Sequence, residues 1–129
     1  DMDEKTSMMA YSDVFVTVYS TMVVEAAVHD RPIVAAVIDT PGGWNKPGKY
    51  SLALQKIGGW PTHLRFREAN AGRVARTASE LQDVVNAYLK DISLDRKAHE
   101  TFIEQEITYT DASSGRRTAE FILKVLREG

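Results

Sequence analysis

Hydrophobic residues are most densely grouped between Asp13 and Asp39, DVFVTVYSTMVVEAAVHDRPIVAAVID, where two apolar runs flank a polar turn and a short helical pattern. Asp13 to Val18 is a continuous apolar run of the kind that fills the middle of a parallel sheet, where both faces are covered. Ser20 is a favourable N-cap for a helix from Thr21 to about His29, in which the β-branched Val23, Val24 and Val28 need tertiary support. Pro32 then opens a second buried strand, Ile33 to Ile38. Strand, helix and strand in that order predict two adjacent parallel strands joined by a crossover helix.

The pattern on either side is less regular. Met2, Met8, Met9 and Tyr11 supply one apolar face of a short helix that ends before Asp13. Thr40 to Tyr50, TPGGWNKPGKY, is rich in proline and glycine and is expected to be a loop. Ser51 to Ile57 is assigned to a short helix stopped by Gly58-Gly59, and Thr62 to Arg73 to a short extended piece with a turn at Asn70 to Gly72. Val74 to Arg76 is a brief strand. Thr77 or Ser79 caps an amphipathic helix, Glu80 to Lys90, whose Leu81, Val84, Val85, Tyr88 and Leu89 form one stripe. Further helices are expected over Leu94 to Gln105 and Ser114 to Arg127. The sum is an α/β fold, a Rossmann-like open parallel sheet with flanking helices, in one domain over residues 1–129.

Composition narrows the class. A chain of 129 residues, 43% hydrophobic and 26% charged, is ordinary for one globular domain with a real core. A net charge of -2 and a pI near 5.9 give no electrostatic case for nucleic acid, and no long basic run is present. The longest apolar runs, Met22 to Val28 and Ile33 to Ile38, are far shorter than a bilayer crossing. An acidic start, Asp1, Asp3 and Glu4, is unlike a signal peptide, so a cytoplasmic protein is expected. Zero cysteines exclude disulfides and thiolate metal sites. The first residue is Asp and leads straight into a helical pattern, which points to an excised piece of a longer protein.

Polar residues stand where the first strand hands over to its helix, the place where open parallel sheets bind ligands. Tyr19, Ser20, Thr21, Met22 and Glu25 are therefore the candidate binding residues. A helix N-terminus offers unpaired N–H groups and partial positive charge, so the Ser20-Thr21-Met22 turn suits a diphosphate, with help from two hydroxyls. Glu25 lies five residues beyond Ser20, roughly 7 Å along a helix axis, comparable with the span from diphosphate to ribose. Its carboxylate can accept from both ribose hydroxyls. The plainer alternative is that Ser20 only caps and Glu25 only faces solvent, but Glu25 stands among Met22, Val23, Val24, Ala26, Ala27 and Val28, where a carboxylate wants a partner or a ligand.

The same residues carry a resemblance. An aspartate, an apolar strand, Ser20-Thr21, Glu25 with its alanines, a short break, Pro32 and a second apolar strand resemble the nucleotide-binding half of GT-B glycosyltransferases. Thr77 with Glu80-Leu81, then the turn Asp111 to Gly115 followed by arginine and an apolar helix, resembles the C-terminal end of CDP-glycerol glycerophosphotransferases and related surface-polysaccharide transferases. That resemblance implies a truncated GT-B C-terminal domain that binds a nucleotide-diphosphate-linked donor in cell-envelope polymer synthesis. It gives Ser20, Thr21 and Glu25 the roles already read from their positions. It also implies a catalytic base and acceptor site that come largely from an N-terminal domain of the same protein, little turnover by this segment alone, self-association through uncovered sheet surface, and peripheral membrane contact through the full-length protein. No cofactor and no metal is implied, and the catalytic residues stay unassigned.

Weaker candidates surround this site. In the loop, Gly42 and Gly43 with Trp44 and Lys49 could close over a base or a phosphate, although such loops are more often plain connections. His29, His63 and His99 lack metal-site spacing and are expected on the surface or in packing. Arg116 and Arg117 open a helix and could meet an anion, though solvated arginines are commoner. Two other readings stay open: a UDP-N-acetylglucosamine 2-epimerase-like enzyme, disfavoured by the Ser-Thr-Met turn, and a non-catalytic flavodoxin-like or regulatory domain in which Ser20 and Thr21 are only caps.

Overall fold

The computed structural model describes residues 2–38, 54–57 and 59–128. Its centre is a three-stranded parallel sheet of β1 (Phe15–Thr17), β2 (Ile33–Ala36) and β3 (Arg73–Ala75), in spatial order β1-β2-β3. Phe15 pairs with Ile33 and Val34 with Arg73, so the two strands predicted to be parallel neighbours are so. The helices are α1 (Met2–Tyr11), α2 (Met22–Val28), α3 (Leu54–Ile57), α4 (Pro61–Glu68), α5 (Ala78–Lys90), α6 (Arg96–Glu106) and α7 (Ser114–Glu128). Gly42, Gly43, Trp44 and Lys49 lie outside the described residues.

Strand alternation divides the core. Ile33, Ala35 and Val37 point to one face and pack with Val23, Ala26 and Ala27 of α2, Phe66 of α4 and Phe102 of α6. Val34 and Ala75 point to the other face, where Tyr88, Leu81, Val84 and Val85 of α5 cover them. Of the β-branched residues that make α2 a poor isolated helix, Val23 gains this burial in full, worth about 1.5–3 kcal/mol for an enclosed aliphatic side chain, Val24 gains it in part and Val28 stays exposed. Phe66 and Phe102 meet edge to face with ring centroids 5.6 Å apart.

One prediction is corrected. Thr62 to Arg73 is not extended; its first part is α4. Trp60 is the extended residue (φ -70°, ψ 146°), and Pro61 takes a first-turn position where its missing N–H costs nothing. His63 and Phe66, three residues apart, form the buried face, and Arg65 and Arg67 stand in the last turn, where positive charge favours the helix. The turn at Asn70 to Gly72 is present, with Asn70 at φ 51°. Gly72 is fixed by close approach, because a Cβ there would lie 2.5 Å from Phe66 Cζ and 2.7 Å from the Ile33 carbonyl oxygen. The third strand starts one residue earlier than predicted and ends at Ala75, leaving Arg76 just beyond it.

Candidate functional site

Beyond Thr17 the chain turns through Tyr19, Ser20 and Thr21 into α2. Ser20 Oγ accepts a hydrogen bond from the Met22 N–H at 3.1 Å, and the Ser20 carbonyl accepts from the Val23 N–H at 3.1 Å. The hydroxyl thus caps the helix. Thr21 already has helical backbone (φ -59°, ψ -18°), makes no capping bond and is exposed.

The predicted residues do not all face one way. Tyr19 is buried, with its ring 5.2 Å from the His63 ring and edge-on to Phe66. It borders an open cleft of about 590 Å³ beside β3, whose walls include Arg67, Asn70, Arg73, Arg76 and Asp95. Met22 instead borders a smaller cleft between α1 and β1, about 260 Å³, together with Lys5 and Met9. Glu25 faces the same side. Its carboxylate meets Lys5 Nζ at 2.6 Å, so the partner it was expected to need is supplied by α1. Both side chains are more than a third exposed, and such a pair contributes only about 0–1 kcal/mol.

The wall of the larger cleft holds residues the sequence pattern did not single out. Arg67 and Arg76 bring positive charge to Tyr19, yet burial outweighs them and raises the phenol's pKa. Burial, with Arg67 beside it, lowers the pKa of His63 and favours the neutral ring. Arg76 follows β3 directly, a position that the rule for strand ends would have flagged. Arg67 sits on α4, a helix the pattern did not predict.

Arg73 and Asp95 line the cleft and meet the fully buried Tyr88. Arg73 Nε donates to Asp95 Oδ2 at 2.9 Å, the Tyr88 hydroxyl donates to the same oxygen at 2.8 Å, and the Arg73 guanidinium lies 5.2 Å from the Tyr88 ring centre. Burial pushes the Asp95 carboxyl upward, but these two hydrogen bonds together hold it below the ordinary range. Burial and the Asp95 hydrogen bond push the Tyr88 phenol well above its usual value. Asp95 has φ 64°, a conformation uncommon away from glycine, and its two donors hold it there. The triad ties β3 to α5 and α6 and does not have the form of an acid/base pair.

The remaining candidates are structural. His63 and His99 are buried in packing. Arg117 is not available to an outside anion, since both terminal nitrogens donate to the Asp111 carboxylate at 2.9 and 2.6 Å while its guanidinium stacks 3.8 Å from the Tyr109 ring centre. Arg116 lies 3.8 Å from Glu120. Among the described residues no group of three or more His, Asp or Glu side chains is placed to hold a metal ion. No described helix is long and apolar enough to cross a membrane.

Parallel strands, helices on both faces and a strand-to-helix turn at the sheet's C-terminal edge define a Rossmann-like α/β segment of the class that presents ligands at strand ends. The family description for CDP-Glycerol:Poly(glycerophosphate) glycerophosphotransferase matches residues 1–124, and the chain belongs to that family. This agrees with the transferase resemblance and not with the epimerase-like or flavodoxin-like alternatives. No curated protein and no solved structure matches the chain.

Proposed function

We propose that this domain is the donor side of a transferase that moves a glycerophosphate or glycosyl group from a nucleotide-diphosphate-linked donor during cell-envelope polymer synthesis. The observation that carries the proposal is the family match, which runs through the whole parallel sheet and its β1–α2 turn. In this reading the donor diphosphate lies against the Ser20-Thr21-Met22 turn, where Thr21 is exposed and its hydroxyl makes no capping bond. Glu25 accepts from the ribose hydroxyls once Lys5 swings aside or turns toward the diphosphate. The catalytic base comes from a companion domain of the same protein, and the whole works in the cytoplasm.

Glu25→Ala tests the ribose role. Losing a carboxylate that accepts from hydroxyls is expected to weaken CDP binding by about 1.5–3 kcal/mol, roughly ten- to a hundredfold in affinity. Stability should change by no more than the surface Lys5 pair contributes, about 1 kcal/mol. Calorimetric titration beside a melting curve separates the two effects. Unchanged affinity with a clearly lower melting temperature would show that Glu25 only ties α2 to α1.

A further inference from the structure

The cleft beside β3 is lined by three arginines, and they are not equivalent. Arg73 is committed to Asp95 and Tyr88. Arg67 and Arg76 are exposed and have no ion-pair or side-chain hydrogen-bond partner among the described residues. Both line the same cleft as Tyr19, and the charge of each reaches its buried phenol. Among the described residues the one carboxylate lining the wall, Asp95, already receives hydrogen bonds from Arg73 and Tyr88. Arg67 and Arg76 therefore leave two guanidinium groups without an ion-pair partner among the described residues on one wall, with the nearby Glu80 carboxylate taken up by the Arg76 backbone N–H at 2.7 Å.

From this arrangement we infer that the cleft is a binding track for an extended phosphodiester chain, the acceptor polymer, with Arg67 and Arg76 as its charged contacts and Asn70 as a neutral donor. The inference rests on the transferase reading and adds a second ligand to it. Guanidinium groups match phosphate oxygens with paired N–H donors, and Asn70 offers an amide. The walls are too polar for a nucleobase, whose pockets are mostly apolar. The cleft wall runs from Arg73, at the start of β3, to Arg76, just past its end, so the track follows the strand for roughly 10 Å at about 3.3 Å per residue, longer than one diphosphate needs. Successive phosphates of a polyol-phosphate chain would meet Arg67, Asn70 and Arg76, which line one cleft with Tyr19.

The test uses the protein as it stands, with a fluorescently labelled oligo(glycerol phosphate) followed by anisotropy and CDP followed by calorimetry. Arg67→Gln with Arg76→Gln is expected to weaken oligomer binding at least about tenfold while CDP affinity stays within about twofold. Lysine at both positions should restore part of the loss, and Arg127→Gln, outside the cleft, should cause none. The inference is overturned if the wild type does not bind the oligomer or if the double variant binds it normally. It is also overturned if CDP affinity falls in parallel, which would put the arginines in the donor site, or if single-stranded DNA binds the cleft more tightly than the oligomer. Arginine-dependent oligomer binding without any CDP binding would instead defeat the donor reading and leave the track standing. Melting curves confirm that each variant is folded.

Discussion

His99 is enclosed by the packing of α6, and neither ring nitrogen completes a hydrogen bond with the described residues. Burial lowers its pKa; Asp30, the nearby Ala71 backbone and Asp95 favour the cation, and Arg96 opposes it. A histidine whose folded pKa is depressed contributes stability that is complete above its unfolded value, about 6.5, and is lost as the pH falls below it, because the unfolded chain then binds the proton more readily. His63, neutral for the same reason of burial, acts in the same direction. The melting temperature is therefore expected to fall on acidification from about pH 7 to pH 5, and His99→Leu should flatten that slope. Equal slopes in the two proteins would remove His99 as a cause. Asp95 adds a second, lower window, since its depressed carboxyl holds stability above the ordinary carboxylate range and loses it as the pH falls through the folded value. At this scale the sequence showed residue types at special places: the Ser20 cap and the need of Glu25 for a partner were both legible. The partner was not. Lys5 and Glu25, like Arg73 and Asp95, meet only through the packing of separate elements, and no local pattern carries that information.

The third strand, α5 and the turn between them show how an element records itself in sequence. Thr77 Oγ1 accepts from the Glu80 N–H at 3.1 Å, while Glu80 Oε2 accepts from the Arg76 N–H at 2.7 Å, so two N–H groups ahead of and within the first turn are satisfied reciprocally. The Thr-x-x-Glu spacing announced this cap, and the predicted stripe announced the buried face at Leu81, Val84, Val85 and Tyr88 but not at Leu89, which is exposed. Thr77→Ala is expected to lower stability by about 1 kcal/mol, read as a shift of the denaturant midpoint with an unchanged slope. An unchanged midpoint would mean that the Glu80 contact alone holds the turn. Because Arg76 borders the proposed track, the same variant also checks whether a loosened α5 start weakens oligomer binding. α4 was illegible for the opposite reason. Its inward face rests on Phe66 and on His63, which counts as polar in a hydropathy pattern, while Leu64 is exposed. The apolar runs of β1 and β2 and the connection between them made their parallel pairing readable from sequence, but the burial expected of a mid-sheet strand holds for β2 and not for β1, which is at the margin of the described sheet with Val16 and Val18 exposed.

Across the whole molecule, apolar surface is distributed unevenly. The sheet and its covering helices bury their inward residues, but α7 buries none. Phe121, Ile122, Val125 and Leu126 form a stripe along it, with Phe121 65% and Leu126 73% exposed. The opposite face carries Arg116, Glu120, Lys124 and Glu128 in pairs four residues apart. At the other margin β1 pairs with β2 on one side only, and Val16 and Val18 are partly exposed there. A helix this amphipathic gains little from standing in water, and burying one such side chain stabilises by about 1.5–3 kcal/mol. A second copy offers an identical stripe, so two α7 helices packed antiparallel would cover both. Sedimentation velocity is thus expected to show mass rising with concentration, and Phe121→Glu with Leu126→Glu should return the protein to monomer and remove the concentration dependence of the melting temperature, leaving its value at high dilution unchanged. A monomer at every concentration, combined with cosedimentation of α7 with anionic vesicles, would assign the stripe to a membrane surface instead. A monomer that also ignores vesicles would overturn both occupants.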